Sequence, residues 1–279
     1  RGISKFALNQ SEFESYFFSE EYWTGYLDLV AKSRFNNFAL LFGYFSHGPV
    51  GYMEPPYPYF FETEGFRQVR VSDSGPEQQK RNLEALRRVI RLTHERGLEF
   101  TLIIWTHIRR PEKETPGWVC GLTDDNLIPY TRAAFAKFLK LVPGIDRIQF
   151  RVHVESSLRL TQQSEFLRTV FEEIGKSGQR IRVDLHGKGF NDDLIASAVS
   201  YNISVRLTLK YWGEHMGLPY HPSHIEWQDQ YNRRSGYADL LRYPKRYDVL
   251  WRLYNLGTTR LLLWADPEYV TRFAESTKL

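Results

Sequence analysis

Near the C-terminal end, the run RLTLKYWGEHMGLPYH (206–221) places Lys210, Tyr211, Trp212, Glu214 and His215 on the tail of an apolar, β-branched segment. Carboxylates recur at comparable places: Glu155 closes RIQFRVHVE, Glu214 follows ISVRLTLKYW, and Asp266 closes RLLLWAD. Cleavage of a glycosidic bond needs such groups, one protonated carboxyl to assist the leaving oxygen and one carboxylate as base or nucleophile. Glu155 suits the acid, because Arg151 and His153 alternate with it along one strand face. Asp266 or Glu214 suits the opposing base or nucleophile. For each of the three, a plain salt bridge to Lys210 or Arg151 is the structural alternative.

Side chains alternate across a strand, so these runs divide into two faces. Gln149, Arg151, His153 and Glu155 oppose Ile148, Phe150, Val152 and Val154. Arg180, Arg182, Asp184, His186 and Lys188 oppose Ile181, Val183 and Leu185, while Arg206, Thr208, Lys210, Trp212 and Glu214 oppose Val205, Leu207, Leu209 and Tyr211. Three consecutive strands thus turn a charged face to one place. Burying that many ionisable groups costs several kcal/mol each unless they are hydrated or paired. Either a wet site or a paired polar core that sets register accounts for the pattern.

Aromatic residues point to a ligand for such a site. Trp105, Trp212 and Trp264 fall at or close to strand ends, with Tyr44, His107 and Tyr211 nearby. Flat rings suit the apolar C–H faces of sugars, whose hydroxyls need charged or amide partners such as Arg151, His153, Asp184, His186, Lys210 and His215. The cations Arg151, Lys188, Arg206 and Lys210 would complement a uronic acid through charge-assisted hydrogen bonds.

Elements that could position these groups follow from period and punctuation. Strand-like runs lie at 2–8, 36–44, 99–107, 147–155, 180–187, 203–212 and 260–266, and helical patterns at 20–33, 76–96, 128–141, 163–176, 192–201, 244–255 and 267–276. The pattern over 76–96 has Leu83, Leu86, Val89, Ile90 and His94 at helical spacing, Pro76 near its start and Gly97 at its end. Strict alternation of strand and helix means parallel strands joined by crossovers. No GxGxxG or GxxxxGK[ST] follows a strand, which disfavours a doubly wound nucleotide-binding sheet. The expectation is an α/β chain, a single (β/α)8 TIM barrel over 1–279, with an eighth strand missing after the run 260–266. Long connections at 45–76, 108–127 and 213–243 all follow strand C-termini, where such a barrel builds its site. Within the first, PPYPYF (55–60) reads equally as a rigid lip on the site or as a packed loop.

Composition bounds the alternatives. The 279 residues carry a net charge of +4, 42% hydrophobic residues and 15% aromatics, with charges scattered and no basic stripe for nucleic acid. No run of about eighteen apolar residues offers a membrane span. The single Cys120 excludes an intramolecular disulfide. No cofactor and no metal are expected in the glycosidase reading, carbohydrate is the expected partner, and oligomeric state is open. The chain starts at Arg1 without Met, which fits a signal either removed or not included in this sequence, and no secretory segment is visible in it.

RFNNFALLFGY followed by PPYPYF, then LRRVIRLTHERGLEFTLIIWTH, RVHVES and KYWGEHMGLPYH resemble the catalytic barrels of glycoside hydrolases of the α-glucuronidase and β-hexosaminidase types. The resemblance to α-glucuronidases implies an acid after strand four and a base from strands six and seven, matching Glu155, Glu214 and Asp266, and it implies export. Glu155-Ser156 departs from the adjacent Asp-Glu pair of hexosaminidases, which argues against an acetamido-assisted mechanism. Rival readings are a divalent-metal sugar isomerase or epimerase using Glu155, Asp184 and His215, an aldolase-like Schiff base on Lys210, and a carbohydrate-binding barrel without catalysis.

Overall fold

A computed structural model describes residues 2–7, 14–42, 44–45, 52–53, 55–72, 74–105, 119–151, 160–186, 192–210, 247–252 and 267–276. Seven strands form one sheet: β1 (Gly2–Ala7), β2 (Asn37–Phe42), β6 (Glu99–Trp105), β8 (Arg147–Arg151), β9 (Arg182–His186), β10 (Val205–Lys210) and β11 (Asp248–Arg252). They lie side by side in that order and every pair is parallel. The helices α2 (Glu20–Lys32), α3 (Pro76–His94), α4 (Leu127–Leu141), α5 (Leu160–Lys176) and α6 (Asp192–Ser200) alternate with them. This is the TIM-barrel class that strict strand–helix repetition predicts.

Local chemistry sets these elements. Ser19 caps α2 by accepting the Tyr22 amide at 3.1 Å, and Trp23, Leu27 and Val30 of that helix are buried one turn apart. Pro76 opens α3, and Gly97 ends it at φ +67°, which lets Leu98 N–H reach the Thr93 carbonyl. Phe38, Leu40, Phe100, Leu102, Ile104, Ile148, Phe150, Val183, Leu185, Val205 and Leu207 form the helix-facing side of the sheet, and all are buried. Phe150 shows the packing: its ring meets Phe135 of α4 and Phe166 and Phe171 of α5 edge-on.

One assignment is overturned. The run 244–255 reads as a helix in sequence, yet Asp248–Arg252 is a strand whose residues pair with Arg206 to Lys210 of β10. YDVLWR carries only a broken alternation, with Tyr247, Val249 and Trp251 on one face and Asp248, Leu250 and Arg252 on the other, so period alone does not separate strand from helix; the exposed edge of β10 decides between them. The seventh strand is therefore this segment, and RLLLWAD (260–266), read as the seventh, lies outside the described residues. Helix α7 (Pro267–Ser276) falls where the sequence pattern puts it.

Between β2 and α3 the chain adds small elements that sequence patterning does not reveal. They include the antiparallel pair β3 (Tyr44–Phe45) and β4 (Tyr52–Met53), and a 3-10 turn at Tyr57–Tyr59. PPYPYF proves to be a packed loop: Tyr57, Tyr59, Phe60 and Phe61 are buried, and the rings of Tyr57 and Phe60 pack at steep angles against Phe138 of α4. Buried amides from α3 secure it, Gln79 donating to the Pro58 carbonyl and Asn82 to that of Tyr59. Beyond it, β5 (Arg70–Val71) pairs with β7 (Val119–Cys120) and so joins the connection after β2 to the one after β6. Gly121 makes the join possible: at φ +79°, a Cβ there would lie 1.9 Å from the Gln68 carbonyl oxygen.

Candidate active site

The helix-facing residues fix, by alternation, which positions line the lumen. Thr101 and Ile103 of β6, Arg147, Gln149 and Arg151 of β8, Arg182 and Asp184 of β9, and Arg206 and Thr208 of β10 share that phase. Gln149, Asp184 and Arg206 stand level across three adjacent strands, so the charged faces do converge.

Toward the middle of the strands this face is a buried ion-pair network. Asp184, 1% exposed, accepts from Arg147 Nη1 at 2.9 Å, from Arg206 Nε at 2.9 Å and from Arg206 Nη2 at 2.6 Å. Nearer the strand N-termini, Arg182 pairs with Glu99 at 2.7 Å, and Asn37 donates to the Thr101 hydroxyl at 2.7 Å. Burial pushes the Arg147 guanidinium below its usual range, with the Arg206 and Arg182 charges adding to that and Asp184 opposing it. For these residues the paired polar core, weighed in the sequence against a wet cavity, is the arrangement found. Arg147 was not singled out there, although it lies two residues before Gln149 and shares its phase.

The strand C-termini differ. Trp105, Arg151, His186, Lys210 and Arg252 are the last residues of β6, β8, β9, β10 and β11. Trp105 pairs in register with Arg151, His186 with Thr208, and Lys210 with Arg252 two residues farther along, so these positions follow one edge of the sheet as a staggered row, all in the lumen phase. Four of the five are site residues picked out from sequence; Arg252 was missed because its segment was read as helix. Arg151, half-buried, donates from Nε to the Gln149 side-chain oxygen at 3.3 Å. Tyr44 opens β3, immediately past β2.

The carboxylates assigned to catalysis, Glu155, Glu214 and Asp266, lie outside the described residues, as do His107, His153, Tyr211, Trp212, His215 and Trp264. Glu155 follows Arg151 by four residues, and Tyr211 follows Lys210 directly. Among the described residues, no group of three His, Cys, Asp or Glu side chains could hold a metal ion, and no helix is long and apolar enough to cross a membrane.

No protein-family model matches the sequence, and no curated protein does. Solved structures do resemble the fold. A GH138 enzyme targeting pectin rhamnogalacturonan II aligns with TM-score 0.64 and 16% identity, over 99% of this chain and 32% of its own. An exo-β-1,4-mannosidase from Opitutaceae bacterium strain TAV5 aligns at 0.54 and 13%, over 99% and 49%. A glycoside hydrolase family 20 β-N-acetylglucosaminidase aligns at 0.51 and 12%, over 98% and 58%. The chain spans less than two thirds of each of these structures. Its structural neighbours are glycoside hydrolases, and the likeness establishes the barrel fold.

Proposed function

We propose that the chain forms the catalytic barrel of a glycoside hydrolase acting on an oligo- or polysaccharide. The observation that carries this is the row Trp105, Arg151, His186, Lys210 and Arg252 along the C-terminal edge of the sheet. That edge is where barrels of this class assemble their sites, and the structural neighbours act on carbohydrate. Glu155, continuing from β8 beyond Arg151, serves as the acid that protonates the leaving oxygen. Asp266 or Glu214 then activates water or attacks the anomeric carbon. The whole chain acts as one catalytic unit, exported to meet its polymer.

The finer reading is an anionic sugar. Arg151, Lys210 and Arg252 bring three cations to the row, and a uronic acid carboxylate offers them charge-assisted, bidentate partners. The isomerase alternative would need Asp184 as a metal ligand, yet both of its oxygens already accept from guanidiniums at 2.9 Å or less.

Hydrolysis of a panel of nitrophenyl glycosides, uronides included, by wild type and Glu155→Gln, with and without EDTA, tests the proposal. Cleavage that survives EDTA and falls by about 10²-fold or more in the variant supports it. Cleavage of no glycoside at all refutes it and leaves a binding barrel. Uronides cleaved no faster than neutral glycosides refute the anionic substrate while leaving the hydrolase in place.

A further inference from the structure

The network beneath the proposed site is unbalanced, in charge and in hydrogen bonds. Among the described residues, three guanidiniums, Arg147, Arg182 and Arg206, meet two carboxylates, Glu99 and Asp184. Asp248, level with Arg206 in the register, is exposed. Arg182 is held by Glu99, and Arg206 by a two-bond fork on Asp184. Arg147 has less: Nη1 donates to an Asp184 oxygen that Arg206 shares, and among the described residues no acceptor reaches Nε although the residue is 6% exposed. Nε and Nη2 form the edge with which a guanidinium takes hold of anions. A buried donor left unmade on a charged group is costly, and native proteins fill such places with water or an ion.

We propose that this edge of Arg147 binds a small monovalent anion of halide size, chloride in solution, at the N-terminal end of the barrel lumen. A single negative charge there completes the balance of three cations against two carboxylates and supplies the missing acceptor. Arg147 is the first residue of β8, at the strand end opposite the proposed active site, so the anion is structural and is not substrate. Glu99 and Arg182, with side chains 41% and 37% exposed, mark a route from solvent at that end. The Arg206 and Arg182 charges that push Arg147 downward are those an anion would offset. A larger divalent oxyanion suits the place poorly, since it would overcompensate one surplus charge.

Thermal unfolding of the wild-type protein in sodium chloride against sodium gluconate, at constant ionic strength, gives the first test. A Tm several degrees higher in chloride, saturating as one site fills, is expected. In Arg147→Met the saturable part disappears; this variant keeps the two Arg206 bonds to Asp184 and fills similar volume. Anomalous diffraction from wild-type crystals in bromide is the second test, independent of whether the variant folds. It should place a peak at hydrogen-bond distance from Arg147 Nε. Equal Tm in both salts, or a water oxygen without anomalous signal beside Nε, overturns the proposal.

Discussion

Replacing Asp184 by Asn separates the two roles that this residue could have. The carboxylate is 1% exposed and accepts three charge-assisted bonds, from Arg147 Nη1 and from Arg206 Nε and Nη2. Asparagine keeps the volume and one carbonyl oxygen but removes the charge, leaving two guanidiniums beside a neutral group. The Arg206 side chain, 22% exposed, can turn part of its charge to water, whereas that of Arg147, 7% exposed, cannot. Breaking a buried pair by removing one partner costs about 3–5 kcal/mol. For a chain of this size that lowers Tm by roughly 6–20 °C, taking about 2–4 °C per kcal/mol. Urea unfolding of wild type and variant measures the loss directly, with an unchanged m-value expected because the folded core stays intact. Adding Arg147→Met to Asp184→Asn should restore part of it, since the stranded charge goes as well. A variant within about 1 kcal/mol of wild type would refute the paired-core account. If that same variant bound its sugar poorly, Asp184 would instead belong to substrate recognition.

Two further outcomes follow from the fold. Gly121→Ala puts a Cβ 1.9 Å from the Gln68 carbonyl oxygen at φ +79°, so the β5–β7 join must open, at a cost of about 3 kcal/mol or more. Gly97→Ala, at φ +67° with nothing within 4 Å, should cost about 1–2 kcal/mol; equal losses in the two variants, measured in urea, would refute the steric argument. Burial raises the Tyr57 and Tyr130 hydroxyls well above their ordinary values. Both phenols stay protonated in either state below pH about 10; above it the unfolded chain loses protons that the folded chain keeps, so stability falls by up to about 1.4 kcal/mol per pH unit for each tyrosine. Denaturation midpoints that stay level well past that pH would contradict it, and Tyr130→Phe should reduce the slope.

Much of this was legible in the linear pattern, and where it was not, the reason is physical. The strands β1, β2, β6, β8, β9 and β10 and the helices α2 to α6 fall within a few residues of their sequence patterns, because burial of one face imposes a period that a sequence must display. Asp248–Arg252 was misread since a five-residue strand and a helical turn share the same apolar spacing, and the unpaired edge of β10 settled which would form. The β5–β7 pair and the 3-10 turn left no period at all: two or three residues cannot show one, and their partners lie tens of residues away.

The site divides along the same line. Alternation along each strand determined which residues share the lumen face, and the strand ends determined that Trp105, Arg151, His186 and Lys210 belong to one edge. Register across strands decided the rest. Whether Asp184 meets substrate or arginine depends on Arg147 and Arg206, 37 and 22 residues away, standing within reach on the adjacent strands. Hydrogen bonds and ion pairs depend on distances of about 3 Å between residues remote in the chain, and those are fixed when the sheet forms.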